Sequence, residues 1–197
     1  DIGSSVSDSL GLESDILWDL EVNANRPDAM SISGVARDLA ASLGLPFKFP
    51  MDLNGNPQVT LDAGIQIEIE DPTLCGRFLA CVVKGITVGP SPQWLQNRLI
   101  HLGMRPINNV VDISNYVMLE LGQPNHTYDL HKIKGSRLGT RRAKVGERLL
   151  TLDGLERTLS EIDGVIVDGD DNPVGIAGIM GGASSEISES TTEIIIE

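Results

Sequence analysis

At 197 residues the chain is long enough for one large domain or two small intertwined ones, with a sizeable core in either case. Hydrophobic residues make up 41% and charged residues 22%, ordinary for a globular protein, while aromatics at 4% argue against stacked platforms for single-stranded nucleic acid. The 28 acidic and 15 basic residues leave a net charge of −13, the wrong sign for gripping nucleic acid over the whole surface. No apolar run approaches the roughly 20 residues that span a bilayer, so no membrane partner is expected. The absence of a signal-peptide pattern points to the cytoplasm. Asp1 in place of an initiator Met and the apolar run Ile194-Ile195-Ile196 before Glu197 give the look of a module excised from a longer polypeptide.

Residues 1–15 are polar and Ser-rich, and residues 16–22 alternate well enough for a strand leading to Asn25-Arg26-Pro27-Asp28. Ile32, Val35, Ala36, Leu39, Ala40 and Leu43 recur at helical spacing, so a helix is expected over residues 31–43, capped by Asp28 or Ser31 and ended by Gly44. Arg26 has two readings, a clamp for a phosphate or carboxylate and a structural partner for a nearby acid. The second is favoured, because Pro27 and Asp28 already account for the turn. Residues 46–60 read as a loop. Strict alternation over residues 65–70 predicts a half-buried strand with its isoleucines inward, and residues 78–86 a more buried one. Cys75 and Cys81, six apart in what reads as strand, are expected as buried, reduced thiols on one side of a sheet. Two cysteines and three distant histidines assemble no metal site.

A helix over residues 92–102, with Trp94, Leu95, Leu99 and Leu102 on one side, ends at Gly103. The stretch that organises the chain follows, from Arg105 to Leu130. Val110, Ile113, Val117, Leu119 and Leu121 mark a second helix with one buried stripe, capped by Asn108 or Asn109 and stopped by Gly122 and Pro124. Beyond it a Gly-Gln-Pro turn sets His126 on a loop held by rigid neighbours, a position from which catalytic groups act. Short strands are expected over residues 138–143, 147–152, 156–159, 165–168 and 173–176, with Asp153-Gly154 as a hairpin turn. The fold class is therefore α+β, a layered module of helices and mainly antiparallel packed sheets. The glycine-rich segment 175–182 fits neither a phosphate loop nor a dinucleotide-binding turn, and it reads as a place for close backbone approach or a tight buried turn.

Four blocks occur in order: Asn25-Arg26-Pro27-Asp28 with Ser31-Ile32-Ser33-Gly34-Val35-Ala36-Arg37; Asp71-Pro72-Thr73-Leu74-Cys75-Gly76-Arg77-Phe78; the organising stretch; and Gly175-Ile176-Ala177-Gly178-Ile179-Met180-Gly181-Gly182 with Glu197 beyond. Together they resemble the B3/B4 module of the bacterial phenylalanyl-tRNA synthetase beta subunit, which carries that family's editing site. Residues 1–197 would then be the intertwined B3 and B4 parts. The chain departs from the family's usual pattern at Gly76 and Phe78 in the second block, at Ser114, where Thr is usual, and at Asn125 and Thr127 beside the histidine.

The resemblance implies hydrolysis of the ester of Tyr-tRNA(Phe). A pocket built for phenylalanine discriminates against an extra hydroxyl only about a hundredfold, whereas a site with a buried acceptor rejects the analogue lacking the hydroxyl by about ten-thousandfold. Glu197 stands at the family's hydroxyl-reading position, and as the last residue it is expected to be loosely held. His126 would orient or activate the water, and Ser114 and Asn115 would hold the substrate amino group or carbonyl. Ala177, Gly178 and Gly181 would line the pocket, with backbone N–H groups of the glycine turn steadying an oxyanion. No nucleophile elbow is visible, so direct attack by water is expected. His101 and His131 read as surface residues. No cofactor is expected in this chain. The resemblance implies ATP and Mg²⁺ for the parent enzyme, tRNA(Phe) and a synthetase alpha subunit in a heterotetramer as partners, and no DNA. Two other readings stand beside this one: a non-catalytic module that positions tRNA or the alpha subunit through the basic segment 132–148, and a free-standing interaction domain.

Overall fold

The computed structural model describes residues 16–50 and 63–197; the polar start and much of the loop expected over residues 46–60 lie outside the described residues. Helix α1 (Ile32–Leu43) begins where Ser31 accepts the Gly34 N–H and ends at Gly44 in the left-handed conformation. Its Gly34 packs on the preceding turn so closely that a Cβ there would lie 1.6 Å from the Asp28 carbonyl oxygen. Arg26 is tied to Asp28 and Asp38, so it is the structural partner favoured by the sequence, and it holds the Asp28 carboxyl down at about 2. Residues 16–22, expected as a strand, form none and leave Ile16, Leu17, Trp18 and Leu20 exposed.

Strands β1 (Gln66–Ile69) and β2 (Cys81–Lys84) are both shorter and more exposed than their sequences suggest. Each lies at the edge of its sheet, which leaves Ile67 38% exposed. The cysteine expectation is corrected here. Cys75 sits in a turn outside any strand and is partly buried, and Cys81 is exposed on β2. Apolar content alone did not distinguish an edge strand from a central one.

Helix α2 (Gln93–His101) buries Leu95 and Leu99, and helix α3 (Asn109–Leu121) follows. The Asn108 side chain accepts the N–H groups of Val110 and Val111, and Asn109 bonds Gly89 and Thr87, fixing α3 against the chain that leaves β2. Asp112 is fully buried in the first turn of α3 and accepts from Ser91 Oγ and the Ile107 N–H. Gly122, at φ 81°, ends the helix.

The remainder is sheet: β3 (Thr127–Asp129), β4 (Arg137–Arg142), β5 (Arg148–Leu150), β6 (Glu156–Thr158), β7 (Gly164–Val167), β8 (Pro173–Ile176), β9 (Met180–Gly181) and β10 (Glu193–Ile196). A five-stranded sheet runs β1-β4-β7-β8-β9, parallel only between β1 and β4; a three-stranded antiparallel sheet runs β2-β10-β3; β5 and β6 form a hairpin. Alternation assigns the layers. On β7, Ile166 points to a core shared with Tyr128, Leu138, Val174 and Ile195, while Val165 and Val167 point to a second core under Leu149 and Leu159. On β10, Ile195 joins the first core, whereas Ile194 packs with Val110 of α3. The three-stranded sheet is thus sandwiched between the large sheet and α3, in the α+β layered arrangement the sequence implies. No helix among the described residues is long and apolar enough to cross a membrane.

Candidate functional site

The antiparallel register of β3 and β10 carries the site. Thr127 faces Ile196, and one step outward the Glu197 N–H donates to the His126 carbonyl at 2.8 Å, so the two residues are cross-strand neighbours. Period-two alternation then puts His126 and Tyr128 on one face of β3, with Ile195 and Glu197 on the matching face of β10. All four look toward the five-stranded sheet. Tyr128 is 1% exposed and its ring meets that of His126 edge to face, centroids 4.6 Å apart. Its hydroxyl donates to Glu197 Oε2. Glu197 is held through both backbone and side chain, contrary to the loose placement expected of a last residue.

The glycine-rich hairpin of β8 and β9 closes over this group. A Cβ on Gly181 would lie 2.3 Å from His126 Nε2 and 3.0 Å from Leu152, so the imidazole rests where any side chain would be. Gly175 lies over Tyr128, whose hydroxyl would be 3.7 Å from a Cβ there. Ala177 packs partly on the first core, and Gly178, at φ +68°, makes the hairpin tip. The N–H groups of Ala177, Ile179 and Gly182 each donate to a backbone carbonyl.

Burial sets the titration of both ionisable groups. It lowers the His126 imidazole below 6.5, keeping it neutral. It also raises the Glu197 carboxyl above 4.5, against the Tyr128 hydrogen bond, which favours the ionised form. Neither ring nitrogen of His126 bonds another side chain among the described residues.

Ser114 and Asn115 lie apart from these groups. The Ser114 hydroxyl donates to the Asn125 carbonyl at 3.0 Å and the Asn125 amide donates back to the Ser114 carbonyl at 3.4 Å, pinning the loop before His126 to α3. Ser114 also borders an open apolar groove of about 600 Å³ between α3 and the far face of the three-stranded sheet, with Ile113, Val117, Thr127, Ile194 and Ile196. Of the helical stripe expected to be buried, Val110 is, whereas Ile113 is 55% exposed and lines this groove with Val117 and Leu121. Asn115 is turned a further 100° around α3 from Ser114. The structure therefore brings together His126, Glu197 and Gly181, puts Ala177 against the first core and Gly178 at the hairpin tip, and sets Ser114 behind the histidine loop. Sequence reasoning passed over Tyr128, although its two-residue spacing from His126 in a strand would have placed both on one face. His101 and His131 are exposed.

Five of the seven basic side chains from Lys132 to Arg148 meet carboxylates. Arg141 is buried between Glu147 and Asp171, Arg137 meets Glu68 and Arg142 meets Asp71. Lys144 reaches Asp171, Arg148 reaches Glu156, and Lys132 donates to the Glu186 carbonyl.

The layered α+β module finds its class in the B3/4 domain, whose family model matches residues 74–197. The chain belongs to that family. Along nearly its whole length it is similar to phenylalanine–tRNA ligase beta subunits. It is 46% identical to that of Moorella thermoacetica over 195 residues, 99% of this chain and 24% of that one. It is 43% identical to that of Carboxydothermus hydrogenoformans over 199 residues, 100% of this chain and 24% of that one. The chain thus spans about a quarter of the length of the curated relatives it matches. An N-terminal fragment of the phenylalanyl-tRNA synthetase beta subunit from Pyrococcus horikoshii shares the fold, with a TM-score of 0.51 and 18% identity over 87% of this chain and 52% of that one.

Proposed function

We propose that this chain is the editing module of a phenylalanine–tRNA ligase beta subunit and that it hydrolyses the ester of mischarged Tyr-tRNA(Phe). The observation that carries the reading is the joining of His126, Glu197 and Gly181 in one cluster, from segments up to 71 residues apart in sequence (197 − 126). A water attacks the ester carbonyl while neutral His126 takes its proton; the carbon–oxygen bond to the terminal ribose then breaks, and the ribose hydroxyl recovers a proton. The N–H groups of Ala177, Ile179 and Gly182 are already bonded; Gly178 N–H, at the hairpin tip, is the donor assigned to the developing oxyanion. Glu197 accepts the phenol hydrogen of tyrosine, and a phenylalanine ester leaves that buried acceptor unpaired. Ser114 and Asn115 serve the substrate end through α3, with Ser114 also holding the histidine loop. Residues 1–197 act as one B3/B4 unit. The parent enzyme charges phenylalanine with ATP and Mg²⁺ beside an alpha subunit in the cytoplasm, and tRNA(Phe) is the shared partner.

The pairing of five of the seven basic side chains of segment 132–148 with carboxylates weighs against a module that merely grips tRNA. The test is release of tyrosine from Tyr-tRNA(Phe) by the full alpha–beta enzyme, with Phe-tRNA(Phe) as control. Fast loss of the Tyr ester, survival of the Phe ester, and a slowing of about a hundredfold or more in both His126→Ala and Glu197→Ala are expected. A wild-type enzyme that charges phenylalanine yet leaves the Tyr ester intact overturns the reading.

A further inference from the structure

Among the described residues Tyr128 is the buried polar side chain that meets both the histidine and the carboxylate of the site, and the reaction just described gives it no part. Its ring is fixed in the core by Leu138, Ile166, Val174 and Ile195, its edge abuts His126 and its hydroxyl ends on Glu197 Oε2. Gly175 and Gly181 leave it and His126 the room they occupy. We infer that Tyr128 is the positioning residue that sets the selectivity of the site, holding Glu197 by one oxygen so that the other is presented, ionised and in fixed orientation, to a substrate phenol.

The argument rests on the editing reading and adds a division of labour within it. A carboxylate has two oxygens and about four acceptor positions. Left alone at the end of β10, the side chain would rotate and would favour its neutral form, since burial already pushes the carboxyl upward. A buried phenol donor opposes both tendencies. It ties down one oxygen and favours the charged form, which accepts a hydrogen bond more strongly than a neutral acid does. The core anchors Tyr128 too firmly to swing aside, so Oε1 is the oxygen left for substrate. Discrimination between tyrosine and phenylalanine esters then depends on a hydroxyl that never touches the substrate.

The test compares wild-type full alpha–beta enzyme with Tyr128→Phe, which keeps the ring in the core and removes only the hydroxyl. Hydrolysis of Tyr-tRNA(Phe) and Phe-tRNA(Phe) is measured from pH 5 to 7.5, with phenylalanine charging and thermal unfolding as folding controls. Tyr128→Phe is expected to charge phenylalanine normally, to lose about tenfold in the Tyr-to-Phe hydrolysis ratio, and to move the acid limb of Tyr-ester cleavage to higher pH. The sign follows from the lost donor: without it the Glu197 carboxyl protonates more readily, so cleavage falls away sooner as pH drops. An unchanged ratio and pH limb in Tyr128→Phe overturns the inference while editing stands, and so does an equal loss of both ester activities. A wild-type enzyme inert toward the Tyr ester overturns both.

Discussion

Gly181 is glycine because His126 lies on it. The imidazole Nε2 is 2.3 Å from the position of a Cβ and the backbone of β9 is locked by pairing with β8, so the ring is the part that must yield. Gly181→Ala is therefore expected to leave the fold and phenylalanine charging intact and to cut Tyr-ester cleavage about tenfold to a hundredfold, since displacements near 1 Å cost that much; single-turnover hydrolysis reads it directly. The same burial shapes the pH response. His126 is pushed below 6.5 by its burial, so the limb of cleavage that its protonation sets is expected below 6.5. An unperturbed imidazole base would put the midpoint at 6.5 or above, and the pH–rate profile of Tyr-ester cleavage separates the two cases.

Helix α3 shows how an element serves a site it does not enter. Its N-terminus is capped by Asn108, tied to the chain after β2 by Asn109 and anchored by Asp112, while Ser114 in its middle holds the loop that delivers His126. Removing the Asp112 carboxylate orphans the Ser91 hydroxyl and the Ile107 N–H. Asp112→Ala is expected to cost about 1–3 kcal/mol in urea unfolding, and cleavage is expected to fall less than with Gly181→Ala. The helices were legible in the sequence nearly to the residue, because Ser31, Asn108, Gly44 and Gly122 are caps with a local mechanism. The short strands after β3 were legible for the same reason, through turns such as Asp153-Gly154. What local pattern did not carry was partnership. The alternation of residues 65–70 is the same on an edge strand as in the middle of a sheet, and nothing near Ile194-Ile195-Ile196 says that β2 and β3 flank it. Cys75 and Cys81 were misplaced for that reason, and Tyr128 was passed over because its importance lies in Glu197, 69 residues away.

Across the whole molecule, carboxylates pair five of the seven basic side chains from Lys132 to Arg148. Arg141 is the clearest case, 4% exposed, with two nitrogens on Glu147 and a third on Asp171. Arg141→Met leaves Glu147, whose side chain is only 12% exposed, without its partner, and a loss of about 3 kcal/mol is expected from chemical denaturation. A phosphate-gripping arginine would weaken tRNA binding without unfolding the protein. The site itself sits where the two sheets meet, so that β3, β10 and the hairpin of β8 and β9 each contribute one face. Behind it the apolar groove under α3 is of suitable size for an amino-acid ring.

The choice between those two places tests the account most directly. The measurement is a crystal structure of the full alpha–beta enzyme with a non-hydrolysable analogue, tyrosine joined by an amide to the ribose of adenosine. The account predicts the phenol oxygen within about 3 Å of Glu197 Oε1, with Tyr128 still on Oε2 and the amide carbonyl beside His126 and the Gly178 N–H. A tyrosine ring seated instead in the groove among Ile113, Val117 and Ile196, away from Glu197, would contradict it.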